Sequence, residues 1–362
     1  MMMDRRISTG AVARVAVVIG LLASGAAACS GATEPLAGPG EPREVVLVTY
    51  DSFALPEAAA DAFEEQTGLT LRVVAGGDSG SVLASALLRP GSPDGDVIFG
   101  IDDASATRVL GEDLLVPFVP TAVSDGSVPA ELRLPGDLAD LLTPVDTGDV
   151  CVIADSEWFA ARGIALPQTV GDLAEPAYRD LLVVQSPVTS SPGLAFLVGT
   201  VASEGDSWPA YWERLRDNGV RVRPSWDDAY NNDYTVSGGD RPLVVSYASS
   251  PPAEVVFSEG ARTEPASVVL LDTCVRQVEY AGVLRGAPNP EGAARLVEFM
   301  VSPEWQAQLP LANFVFPAVT GTQLPPVFEQ FAARPATPLV IPADRVGAER
   351  DDWVERWRSI LE

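Results

Sequence analysis

The run GGDSGS at residues 76–81 sets Asp78 and Ser79 between glycines, a setting in which a serine could serve as a nucleophile. A serine hydroxyl attacks only when a neighbouring base takes its proton, usually a histidine held by a carboxylate. The 362-residue chain has no histidine. It has no lysine either, so all 24 basic residues are arginine, whose guanidinium stays protonated and cannot act as that base. Serine–lysine hydrolysis, Schiff-base chemistry and a phosphate-binding P-loop lysine are excluded together. With three cysteines and no histidine, the usual ligand sets for zinc and copper are missing, so no metal site is expected. No pair of carboxylates stands at a recognisable catalytic spacing, which leaves an exported carboxylate-dependent hydrolase as the weakest reading. The expectation is a protein that is not an enzyme and needs no cofactor.

The N-terminus points out of the cytoplasm. Residues 1–28 begin with Arg5, Arg6 and Arg14, pass through the apolar run VAVVIGLL and end in small residues before Cys29. This is the plan of a secretory signal, too short to persist as a spanning helix. Its end resembles the lipobox of bacterial lipoproteins, in which the cysteine is acylated; an ordinary signal peptide with Cys29 beside the cut is the other reading. Residues 29–43, rich in glycine and proline, suit a flexible tether. The expected place is therefore the extracytoplasmic face of the cell membrane, with contact through the lipid anchor alone. A net charge of −26 repels phosphate backbones, so no nucleic-acid partner is expected. Acidity of this kind keeps an exported protein soluble and would also attract a cationic ligand. Outside the cytoplasm Cys151 and Cys274 can pair as a disulfide, or stand as two separate buried thiols.

Positioning elements alternate from Glu44 onward. EVVLVTY reads as a buried strand, LPEAAADAFEEQTG as a helix with Pro56 in its first turn, LTLRVV as a strand, SVLASALL as a helix and DVIFG as a strand. A βαβαβ order implies a parallel sheet with helices on both faces, and ligands of such sheets sit beyond the carboxyl ends of the strands. The loops TYDSF, GGDSGS and GIDDAS each follow a strand directly. A second alternating region starts near VDTGDVCVIAD, and about 320 residues are more than one core usually holds, so two lobes are expected. A last helix sets Val346, Trp353, Trp357, Ile360 and Leu361 at helical spacing for packing.

The segments VTYDSF, QSPVTSSPGL, PSWDDAY, VVSYASSP, VEFMVSPEWQ and LANFVFPA, in this order, resemble the periplasmic thiamine-binding proteins of ABC transporters over nearly all of residues 44–362. The resemblance implies an α/β, two-lobe periplasmic-binding-protein-like fold of type II. Each lobe would be a mainly parallel sheet flanked by helices, joined to the other by crossover strands, with residues 44–146 plus 278–362 in one lobe and 147–277 in the other. It also implies a monomer that captures thiamine or a thiamine phosphate between the lobes and hands it to the membrane permease and ATPase subunits of an importer. Family binding positions fall on Asp78 and its neighbour Ser79, on the hydroxyl pair Ser190 and Ser191, on the indole of Trp226, on Tyr247, Ala248, Ser249, Ser250 and Pro251, and on the aromatics Tyr50 and Phe314. Two family aromatics are missing: ALPEAAA follows YDSF where a tryptophan is common, and Ala253 stands where a tyrosine is. Related binders of iron, polyamines and phosphonates share the architecture; isolated tyrosines count against iron, whereas Asp78, Asp102 and Asp227 keep a polyamine in view.

The residues alone leave each role open. Asp78 could simply cap the helix beginning near Ser81. SPVTSSPG could cap a helix or hold an anion at its N-terminus, and Trp226 and Tyr247 could be core aromatics.

Overall fold

The computed structural model describes residues 43–362; the signal segment, Cys29 and nearly all of the tether lie outside the described residues. Ten strands form one mixed sheet: β1 (Glu44–Thr49), β2 (Thr70–Ala75), β3 (Val97–Asp102), β4 (Leu115–Val116), β5 (Thr143–Asp155), β6 (Leu182–Gln185), β7 (Arg221–Arg223), β8 (Leu243–Tyr247), β9 (Ser267–Leu284) and β10 (Phe316–Pro317). The order along the sheet is β2-β1-β3-β9-β5-β8-β6-β7, with β4 on β9 and β10 on β5.

Direction changes at two long strands. β1 runs parallel to β2 and β3, and β6 runs parallel to β7 and β8, as the alternation with helices requires. Between these halves, β5 and β9 pair antiparallel to each other and to the strand on either side. β5 is buried over all 13 residues, because helices and loops of both halves cover it. These two strands carry the chain from one half to the other.

The helix Ser79–Leu87 begins two residues earlier than its apolar pattern suggested, because Asp78 supplies the cap. Each half has its own apolar core. In the first, Val45, Leu47, Phe63 and Val97 meet Leu296, Met300 and Trp305. In the second, Phe196, Trp208, Trp212 and Leu215 pack beneath β6 and β8.

The closing helix Ala343–Leu361 joins the second core. Trp357 meets Trp212 edge to face at 5.7 Å, and Val346, Trp353 and Ile360 are buried beside them. Such a ring pair adds roughly 0.5–1.5 kcal/mol beyond the apolar area it buries. The tryptophan stripe of the closing helix finds its complementary surface on the helix Trp208–Asp217. Cys151 and Cys274 form a disulfide linking β5 to β9. Among the described residues, no helix is long and apolar enough to cross a membrane.

Candidate functional site

A cavity of about 580 Å³ lies between the two halves. Its wall is built where the parallel strands end: Tyr50 follows β1, Asp78 and Ser79 follow β2, Trp226 and Asp227 follow β7, and Tyr247 closes β8. Glu279 reaches the wall from β9, and Asn313 and Phe314 enter from the loop before β10.

The Tyr50 ring lies directly over Gly100, where a Cβ would come within 2.5 Å of it, and Phe99 backs it at 5.9 Å between centroids. The Tyr50 hydroxyl donates to Glu279 Oε2 at 3.0 Å, and Gln277 Nε2 donates to Glu279 Oε1 at 3.1 Å. Glu279 is register partner of Asp146 across β5 and β9, and both carboxyls are buried. Desolvation, then the nearby charges of Asp102 and Asp78, push Glu279 up to about 8, against the pull of the Tyr50 and Gln277 hydrogen bonds. Burial and the charge of Glu279 likewise raise Asp146. The Tyr50 and Tyr247 phenols are held neutral, by burial first and then by the charge of Glu279.

On the other side Trp226 stacks on Tyr230 with centroids 4.7 Å apart and planes 17° from parallel. The indole N–H donates to Ser246 Oγ at 2.9 Å, which fixes the ring's rotation. Phe257, 72% exposed, meets Phe314 edge to face at 5.5 Å across the cavity.

Asp78 does two things at once. Its Oδ1 accepts from Ser79 N at 2.7 Å, capping the helix Ser79–Leu87, and its Oδ2 accepts from Trp226 N at 2.8 Å in the other half. Burial raises its pKa, while the bonds from Trp226, Ser190 and Ser79 work against that rise. The Ser79 hydroxyl is engaged on both sides. It donates to Asp78 Oδ1 at 3.0 Å and accepts from Ser191 N at 3.1 Å. The Ser191 hydroxyl in turn donates to the Asp102 carboxylate, and Ser81 N donates to the Thr189 carbonyl at 3.1 Å. Gly80 permits this approach, since a Cβ there would lie 2.7 Å from the Thr189 carbonyl. The GGDSGS and PVTSSP loops therefore latch the halves together.

Of the residues expected at the site, Tyr50, Asp78, Ser79, Trp226, Tyr247, Ser250 and Phe314 line the cavity. Ser190, Ser191, Ala248, Ser249 and Pro251 stand behind the wall. Ser191 belongs to the latch, Ala248 is packed beside the disulfide, Ser249 is fully buried and Pro251 opens a short helix. Sequence reasoning missed Tyr230, Glu254, Phe257 and Glu279. Two signals existed: Tyr230 follows Trp226 by four residues, one helical turn, and Glu279 stands between Val278 and Tyr280, just before the apolar end of β9. The aromatic wall is also fuller than the missing family residues implied. Ala54 and Ala253 do line the cavity, but Phe257, one turn beyond Ala253, brings a ring to it.

Residues 95–346 match the family described as bacterial extracellular solute-binding protein. The chain is 29% identical over 322 residues to the thiamine-binding periplasmic protein of Salmonella typhimurium strain LT2, with 88% of this chain and 93% of that protein covered. Its similarity to the thiamine-binding periplasmic protein of Escherichia coli K12 is 28% over 322 residues, again covering 88% and 93%. A solved structure described as a periplasmic thiamin binding protein matches with a TM-score of 0.78 at 26% identity, over 90% of this chain and 98% of that one.

Proposed function

The chain belongs to the bacterial extracellular solute-binding proteins, and from that premise we propose that it captures thiamine between its two lobes and delivers it to the permease of an ABC importer. The observation that carries this reading is the cavity wall: rings from both halves, Tyr50, Tyr247 and Trp226 among them, set beside buried carboxyl groups. Thiamine has an aromatic cation, an aminopyrimidine that donates and accepts hydrogen bonds, and a short hydroxyethyl arm. A cation held over a desolvated ring gains roughly 0.5–2 kcal/mol per ring, and a charge-assisted hydrogen bond roughly 1.5–3 kcal/mol. Three rings and one such bond sum to roughly 3–9 kcal/mol, so the roughly 8 kcal/mol that micromolar binding requires is met together with lobe closure that expels water. A polyamine has no flat face to offer stacked rings, which makes it the weaker fit.

In this reading Asp78 joins ligand capture to closure, because its two oxygens already bridge the halves, while Ser190 and Ser191 act through the latch. We assign residues 44–146 and 278–342 to one lobe, and 147–277 with the closing helix to the other. The protein works as a monomer outside the cytoplasm.

Calorimetry of the purified protein against thiamine, spermidine and ferric citrate tests the proposal. Thiamine is expected to bind at micromolar concentration or tighter, and a preference for spermidine would overturn it. Trp226→Ala should weaken thiamine binding at least tenfold with little change in the melting temperature of the free protein, because the indole stands on the cavity wall. A large fall in stability with unchanged affinity assigns Trp226 to packing instead.

Acylation of Cys29 would hold this domain at the membrane. Palmitate labelling of the wild type, and release of a Cys29→Ser variant from the membrane fraction, are the expected results; a wild type that fractionates as a soluble, unlabelled protein removes the anchor.

A further inference from the structure

Phe257 is 72% exposed and yet lines the cavity, so its ring stands at the rim rather than in the floor. It follows the short helix Pro251–Val256, and its N–H donates to the Ala253 carbonyl at 2.8 Å, which fixes where the ring leaves the chain. The ring's neighbour is Phe314, met edge to face at 5.5 Å from the opposite half. Among the described residues this is the one ring pair that joins the two lobes assigned above; Trp226 and Tyr230 stack within one lobe, and Tyr50 and Phe99 within the other.

Phe314 is held from both sides. Asn313 bonds both backbone groups of Ala54: its Oδ1 accepts from Ala54 N at 2.9 Å, and its Nδ2 donates to the Ala54 carbonyl at 3.0 Å. On the other side Val315 is buried in the first core. Between these anchors Phe314 has a φ of 53°, in the left-handed region that a bulky side chain rarely occupies. A backbone kept there costs free energy and persists because the surrounding contacts hold it. The latch between the halves is polar, made by Asp78 with the Trp226 amide and by Ser79 with the Ser191 amide, whereas the ring pair is apolar and stands at the rim.

We propose that Phe257 and Phe314 form an aromatic gate over the bound ligand, and that Phe257 sets how long the ligand is held. The inference rests on the thiamine reading given above. A contact between two lobes forms only when the lobes close, so it is made after the ligand has entered and must break before the ligand leaves. It therefore acts on dissociation, the step in which related complexes differ most. When the lobes part, the polar latch exchanges its hydrogen bonds for bonds to water, but the ring contact has no such substitute and its apolar surface is exposed. A flat cation beneath the rim also gives the exposed face of Phe257 a partner with which a ring interacts favourably.

The test is stopped-flow mixing of the whole protein with thiamine, read by tryptophan fluorescence, for which Trp226 on the cavity wall is the reporter. Phe257→Ala is expected to speed dissociation about fivefold or more and to leave association within about threefold of the wild type. Phe257→Tyr, which keeps a ring, should restore slow release. Phe314→Ala should speed dissociation as well, and the double variant should exceed the faster single variant by less than about twofold, since both changes remove one shared contact. Dissociation from Phe257→Ala within about twofold of the wild type overturns the proposal, as do effects of the two substitutions that multiply in the double variant. If the wild type binds no thiamine, the thiamine reading fails and the gate with it; thiamine bound by the wild type and released equally slowly by Phe257→Ala sinks the gate alone.

Discussion

Raising the pH from about 5 to about 8.5 is expected to lower the melting temperature of the unliganded protein, and Glu279→Gln is expected to remove the upper part of that fall. Glu279 titrates near 8 in the folded chain against an ordinary value of 4.5. Between those values the folded state holds a proton that the unfolded state has released, so stability falls as pH rises through the window and levels off above it. A proton held across one pH unit is worth about 1.4 kcal/mol, so the loss accumulates across the window. Tyr50 and Gln277 hydrogen-bond Glu279, and Asp146, Asp102 and Asp78 are the nearby acids. Asp102, at about 6, and Asp103, at about 7, are raised mainly by burial and act with the same sign, so the lower part of the slope is collective. The amide variant cannot ionise and can still accept from Tyr50. Thermal melts of wild type and variant at constant ionic strength are the measurement. A wild-type curve flat from about 6.5 to 8.5, or two parallel curves, would show that Glu279 does not carry this proton.

What the sequence made legible here was local. Alternating strands and helices, and turns rich in glycine, located the Tyr50, Asp78 and Trp226 loops at strand ends, where the cavity lies. The stripe of Val346, Trp353 and Trp357 was readable as a packing face. Its partner was not, because the complementary surface of Trp212 lies more than a hundred residues earlier. The same limit explains the hydroxyl pair. SPVTSSPG looks equally like a cap or an anion site from its own residues, and the carboxylate that the Ser191 hydroxyl meets, Asp102, arrives from the other half. Glu279 is the clearest case: an acid between Val278 and Tyr280 in β9 is visible, but its neighbours Tyr50 and Asp146 are brought to it only by strand register and closure. Loops reveal their chemistry in sequence; the faces they meet are set by topology.

Replacing Cys151 and Cys274 together by alanine is expected to destabilise the protein by up to roughly 4–5 kcal/mol, a fall in melting temperature of roughly 5–8 °C. The disulfide closes 123 residues, and in the chain-entropy model a loop of that length strongly restricts the unfolded ensemble. Its position gives a second reason. β5 and β9 pair Val150 with Val275 and then Val152 with Leu270, so β9 bulges by several residues opposite Cys151. The bulge is otherwise pinned by Thr273, whose hydroxyl accepts from Val152 N at 2.8 Å and donates to the Leu270 carbonyl at 2.7 Å. Removing the cross-link leaves that hydroxyl to hold the register where the two halves meet, so the double variant should also exchange amide hydrogens faster around residues 148–152 and 270–276. Peptide mapping without reductant comes first, with a Cys151 peptide joined to a Cys274 peptide as the expected product. Two alkylatable thiols in the exported protein would end the argument, and a double variant as stable as the wild type would show that the hydrogen-bonded bulge holds its register alone.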